Sequence, residues 1–153
     1  MKDDIYYMKK AIKLSEKAKA KGEIPVGAIV VEKGKIIAKG INQRDERNIV
    51  TKHAEIIAIE KANRYKKNWR LPECELYVTL EPCLMCSTVI EQARIKKVIY
   101  GAAIRDAKNK QMVQNIKIEK EQVKDEQTIK QCENQLDLFF QKIREKNKLF
   151  PGK

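Results

Sequence analysis

The sequence predicts an α/β fold, with a central mixed β-sheet held between two layers of helices in a three-layer α/β/α arrangement. Segments of helical and β periodicity alternate along most of the chain, the pattern of a sheet covered by helices. An early pair of β-rich segments is joined by Glu32-Lys33-Gly34-Lys35, a hairpin signal that adds antiparallel pairing. The length of 153 residues, 42% of them hydrophobic, suffices for one buried core, so residues 1–153 are expected to form a single domain.

The elements follow in order. Ile5, Met8, Ile12, Ser15 and Ala18 recur at helical spacing with lysines between them and Gly22 at the end, an amphipathic first helix. The run "AIVVEKGKIIAKG" supplies the two arms of the hairpin, and residues 52–65 carry the next helical pattern. After the loop "KKNWRLPEC" comes the strand "ELYVTL", and then "PCLMCSTVIEQAR", a helix expected to begin at or next to Pro82, since proline suits a helix start. "KKVIYGA" reads as a strand and "NIKIEK" as one more. Residues 121–147 read as a long last helix with Leu136, Phe139, Phe140 and Ile143 on its buried side. Trp69 is expected to pack under its loop beside Leu71 and Pro72.

No window approaches the roughly 20 apolar residues that cross a bilayer, so a cytoplasmic protein without membrane association is expected. In that compartment thiols stay reduced, so Cys74, Cys83, Cys86 and Cys132 read as metal ligands, catalytic groups or buried small residues rather than two disulfides. A formal net charge of +12 favours a polyanionic partner, although the abundance of Lys, Ile and Asn reads nearly as well as the coding bias of an AT-rich genome.

His53, the sole histidine, stands in "HAE", and Cys83 and Cys86 stand in "PCLMC". One imidazole and two thiolates suit zinc, and three protein ligands leave one place of a tetrahedron vacant. A catalytic zinc needs that vacancy, because water bound there ionises near neutrality. A structural zinc would want a fourth ligand, for which Cys74 and Cys132 are the candidates. Both quoted stretches stand at helix starts, where the helix dipole favours thiolates, and helices that follow neighbouring β segments would converge at the edge of the sheet. Glu55 is then placed to take a proton from water and return it to a leaving amine. Cys74 and Cys132 otherwise read as buried small groups.

With H-x-E at 53–55 and P-C-x-x-C at 82–86, the chain resembles the zinc-dependent deaminase superfamily. More narrowly, "EIPVGAIVV", "GIN", "HAEIIAI", "NWRL", "LYVTLEPCLMCSTVI" and "ARIKKVIYGA" resemble the bacterial tRNA-specific adenosine deaminases, nearly continuously from residue 5 to 103. The resemblance implies a cytidine deaminase-like fold. It implies one Zn2+ per subunit held by His53, Cys83 and Cys86, with Glu55 as proton shuttle. It further implies that Asn42 contacts the target base and that the backbone around Ala54 and Pro82 helps line the pocket. A homodimer with RNA bound across both subunits is implied as well. The implied reaction is hydrolytic deamination of adenosine to inosine at the wobble position of a tRNA anticodon stem-loop.

Beyond residue 103 the chain departs from that pattern, reading "AIRDAKNKQMVQNIKIEKEQVKDEQ" with no second histidine, and returns to it at "CENQLDLFFQKIR". Two other readings use the same residues. One is a deaminase of a free base or nucleoside such as guanine, cytosine or adenosine. The other is a noncatalytic, zinc-stabilised RNA-binding module, which would need four ligands and no Glu55.

Overall fold

The structure, a computed structural model, describes residues 2–149. Helix α1 (Asp4–Ala20) opens on Asp3, whose carboxylate accepts a 2.9 Å hydrogen bond from the Tyr6 amide. It buries Tyr7, Met8, Ala11, Ile12, Ser15 and Ala18 along one side. Strands β1 (Gly27–Glu32) and β2 (Lys35–Ile41) pair antiparallel through a turn in which Lys33 and Gly34 both take positive φ, 49° and 81°. That conformation is what a two-residue hairpin requires.

A short helix, α2 (Arg44–Arg47), precedes α3 (Ala54–Lys66). Then come β3 (Cys74–Leu80), α4 (Leu84–Gln92), β4 (Lys97–Ala102), α5 (Ala107–Gln114), β5 (Lys120–Gln122) and α6 (Glu126–Leu149). The sheet order is β2-β1-β3-β4-β5. β1 is antiparallel to β2 and β3, whereas β3, β4 and β5 run parallel through the α4 and α5 crossovers. The sheet is therefore mixed, as expected.

Alternation along the strands divides the core in two. Ala28, Val30, Leu76, Val78 and Val98 pack with Ala58, Ile59 and Ala62 of α3 and Ile90 of α4. Ile29, Val31, Tyr77 and Ile99 pack on the opposite face with Met8, Ala11 and Ile12 of α1 and Cys132 of α6. Because successive strand side chains point to opposite faces, each central strand serves both helix layers. Two glycines set how closely the helices approach. A Cβ on Gly40 would strike the Ala54 carbonyl, and one on Gly101 would strike the Cys132 sulfur. Among the described residues, no helix is long and apolar enough to cross a membrane.

Several elements differ from expectation, most of them after residue 103. The strand begins only at Lys120, the last residue of "NIKIEK", and runs to Gln122, because Ile116 and Ile118 turn back on local backbone bonds to Val113 and Ile116. The last helix starts at Glu126 rather than 121, where Asp125 accepts hydrogen bonds from the Thr128 amide and hydroxyl. Helices α5 and α2 were not anticipated. Phe139 is buried, but Phe140 and Ile143 are exposed. At 24 residues α6 is about 36 Å long against about 20 Å for the strand beneath it, so its later turns run past the sheet. Trp69 is 55% exposed, because Leu71 takes the buried place in that loop. The Leu71 amide bonds the Ala93 carbonyl at 2.7 Å, and the Arg70 guanidinium stacks on the Trp69 ring.

Candidate metal centre

His53 occupies the N-cap of α3 and Cys83 the N-cap of α4, both with extended backbone. A cap residue ordinarily turns its side chain onto the first amides of its helix. Neither does so here, and both side chains are free to face each other. Cys86 follows in the first turn of α4, three residues on and on the same side. Pro82 precedes the cap and its carbonyl accepts from the Ser87 hydroxyl, closing the turn that aims Cys83.

The His53 Nδ1 atom lies 3.7 Å from Cys83 Sγ and 3.5 Å from Cys86 Sγ. Zinc bonds of about 2.3 Å to sulfur and about 2.0 Å to nitrogen, at the tetrahedral angle, separate N and S by about 3.5 Å. The three donors therefore fit zinc. Among the described residues these three form the one group of His, Cys, Asp or Glu with metal-ligand spacing. Cys74 and Cys132 are buried elsewhere and do not join it. Cys74 starts β3, about 20 Å of strand from the site, and Cys132 lies on α6 against Gly101, so the four-ligand arrangement lacks both its candidates.

The electrostatics suit a cation. A hydrogen bond from Cys86, reinforced by His53, holds the Cys83 thiol down at about 4. The same pairing, with burial, pushes Cys86 up. The hydrogen bond to Cys83 also raises His53. Glu55, on the first turn of α3, is 4% exposed, and burial pushes its carboxyl up to about 7.

His53 and Cys83 line a cleft of about 430 Å³ whose walls also include Val26, Asn42, Arg44, Glu55, Leu136 and Phe140, while Cys86 is buried. Small-molecule sites ordinarily fall in this size range. Asn42 lines it and donates from Nδ2 to Glu23 Oε1 at 3.1 Å. Ala54 and Pro82 are not among the lining residues. Ala54 is fully buried against Gly40, and the residues on either side of Ala54 and Pro82, namely His53, Glu55, Glu81 and Cys83, line the cleft.

Sequence reasoning missed four charged residues that build the cleft. Glu23 is 1% exposed, and Glu81 accepts from the Ile104 amide at 3.0 Å while pairing with Lys120 Nζ at 2.6 Å. Arg105 grips Asp137 through two hydrogen bonds of 2.8 and 3.4 Å, tying the segment after β4 to α6. A carboxylate inside an otherwise apolar stretch was the available signal for Glu23 in "EIPVG" and Glu81 in "TLEPC". Arg105 and Asp137 stand 32 positions apart, and no local pattern joins them.

Comparison with known proteins places this geometry. The model of the cytidine and deoxycytidylate deaminase zinc-binding region matches residues 1–102. A tRNA-specific adenosine deaminase of Streptococcus pyogenes serotype M3 is 38% identical over 97% of this chain and 90% of its own length. That of Bacillus subtilis is 36% identical over 97% and 95%. Among solved structures, one from work on A-to-I editing by tRNA:A34 deaminases at the wobble position is 32% identical, with a TM-score of 0.75 over 83% of this chain and 98% of the other. The guanine deaminase of Bacillus subtilis is 39% identical, with a TM-score of 0.65 over 71% and 69%.

Proposed function

The chain belongs to the cytidine and deoxycytidylate deaminase zinc-binding family, and from that premise we propose that it converts adenosine to inosine at the wobble position of a tRNA anticodon. The observation that carries the chemistry is a three-donor set, two of whose members line a cleft beside the buried Glu55. Three donors leave a coordination place for water, which a purely structural zinc site does not need. The choice of substrate is supported by the two tRNA-specific adenosine deaminases, 38% and 36% identical over 97% of this chain.

Zinc, when bound by His53, Cys83 and Cys86, supplies a Lewis acid that brings the pKa of a coordinated water to about 7. Glu55 takes the proton of the attacking water and delivers it to N1 of the adenine ring. As the bond from C6 to the exocyclic nitrogen breaks, Glu55 passes the second proton to the departing amine. Adenosine and water become inosine and ammonia, and the carboxylate ends as it began. Asn42 holds the base from the facing wall, and Arg44 stands on the same cleft. A base inside a stacked loop cannot reach the sulfurs, so the target nucleotide flips out to enter.

The working form in this reading is a single-domain chain with one zinc, acting as a homodimer in the cytoplasm. Ile49, Val50 and Leu84 support dimerisation, since these exposed apolar residues lie within four positions of His53 or Cys83. A second reading, deamination of free guanine, is favoured by the 39% identity to the guanine deaminase. Separate assays of the zinc-loaded protein with an anticodon stem-loop carrying a wobble adenosine, and with guanine and free adenosine, distinguish the two. Inosine formed in the RNA, with the free compounds turned over at least a hundredfold more slowly, is the expected result. Preferential turnover of guanine would reverse the assignment.

A further inference from the structure

Glu23 is buried 30 positions from His53 in sequence and touches no metal ligand, yet it bonds the wall that faces the substrate. Its Oε1 accepts from Asn42 Nδ2 and from the Asp45 amide, both at 3.1 Å, and its Oε2 accepts from the Glu46 amide. The last two are early amides of α2, and Gln43, at the cap position, makes no side-chain cap there. Glu23 thus supplies that cap from 20 positions upstream. The same carboxylate holds both Asn42 and the segment bearing Arg44, two residues that line the cleft.

A carboxylate accepts hydrogen bonds and does not donate them. Turning the Asn42 amide over would set its oxygen against Glu23, so the donor nitrogen stays on that side and the amide keeps one orientation. The donor and acceptor pattern that Asn42 offers across the cleft is therefore set by Glu23. We infer that Glu23 is a positioning residue for the deamination, acting through Asn42 to fix how the base is held. The inference rests on the proposed role of Asn42 in gripping the base.

The test compares native protein, Glu23→Gln, Asn42→Ala and the double variant, all zinc-loaded, by zinc content, melting temperature and kcat/KM. Glu23→Gln is expected to keep its zinc and lose roughly 10- to 100-fold in kcat/KM, the range for a lost hydrogen bond to a charged group. In the Asn42→Ala background the same change should cost less than about threefold, because its route to the base is already gone. Equal losses in both backgrounds, or an unchanged kcat/KM in a folded Glu23→Gln protein, would overturn the inference. A second readout needs no folded Glu23 variant. One Nδ2 proton of Asn42 in the native protein, assigned by its absence from the Asn42→Ala spectrum, should exchange slowly with solvent. Two fast-exchanging protons would overturn the inference regardless of the variants. If the native protein turns over guanine and not the RNA, the substrate reading fails, and the Glu23 comparison is made on guanine.

Discussion

Cys74 and Cys132 carry thiols that should stay silent while the fold is intact. Burial pushes them up to about 11 and about 12, so at pH 8 about one Cys74 thiol in a thousand, and fewer of Cys132, is the reactive thiolate. The reactive fraction rises tenfold per pH unit below those values. With zinc bound, Cys83 and Cys86 are occupied as well. A thiol-titrating reagent at pH 8 should therefore find almost no fast sulfurs in the zinc protein, one after chelation, that of Cys83, and four after denaturation. Two or more fast sulfurs in the folded, chelated protein would contradict these assignments. His53, Glu55, Cys83 and Cys86 were legible in the sequence because each lies at or beside a helix start, where short spacing sets direction. Asn42 was reached by resemblance, and the carboxylate that orients it was not. Glu23 and the Arg105–Asp137 pair escaped because their partners lie 19 to 32 positions away, and only the folded sheet brings them together.

At the scale of elements, the site depends on how closely α3 approaches β2. A Cβ on Gly40 collides with the Ala54 carbonyl, one residue from His53. Gly40→Ala should then lift the first turn of α3, costing about 1–3 kcal/mol of stability as overpacking does, and loosen zinc. Thermal unfolding and a zinc competition titration check this together, and an unchanged melting temperature with unchanged zinc affinity would contradict it. The elements before residue 103 were legible because their periodicities are strong and their turns carry recognisable chemistry, as Lys33-Gly34 does. After residue 103 the signals weaken. Helix α5 buries only Val113, so its apolar stripe is nearly absent. Strand β5 has three residues, all half-buried, too short for alternation to show. Ile116 and Ile118 alternate like a strand but are held in turns.

For the whole molecule, the formal net charge of +12 predicts that RNA binding weakens steeply with salt. Each phosphate neutralised contributes about −0.7 to the slope of log affinity against log salt for single strands. A slope steeper than about −2, meaning three or more phosphate contacts, is expected for the anticodon stem-loop, and a flat dependence would point to a small uncharged substrate. The mixed sheet and its two helix layers were legible from the alternation of elements together with the hairpin signal at Lys33-Gly34, whereas the overhang of α6 depends on the relative lengths of helix and sheet. The central claim is that Glu55, beside a three-donor zinc site, performs hydrolytic deamination of an RNA adenosine. Its most direct test is single-turnover inosine formation in a wobble-adenosine stem-loop by native and Glu55→Ala proteins, each assayed for zinc. The account predicts inosine from the native protein, and a rate lower by about 10²- to 10⁴-fold in the variant at one zinc per chain in both. Equal rates in two folded, zinc-loaded proteins, or no inosine from the native one, would contradict it.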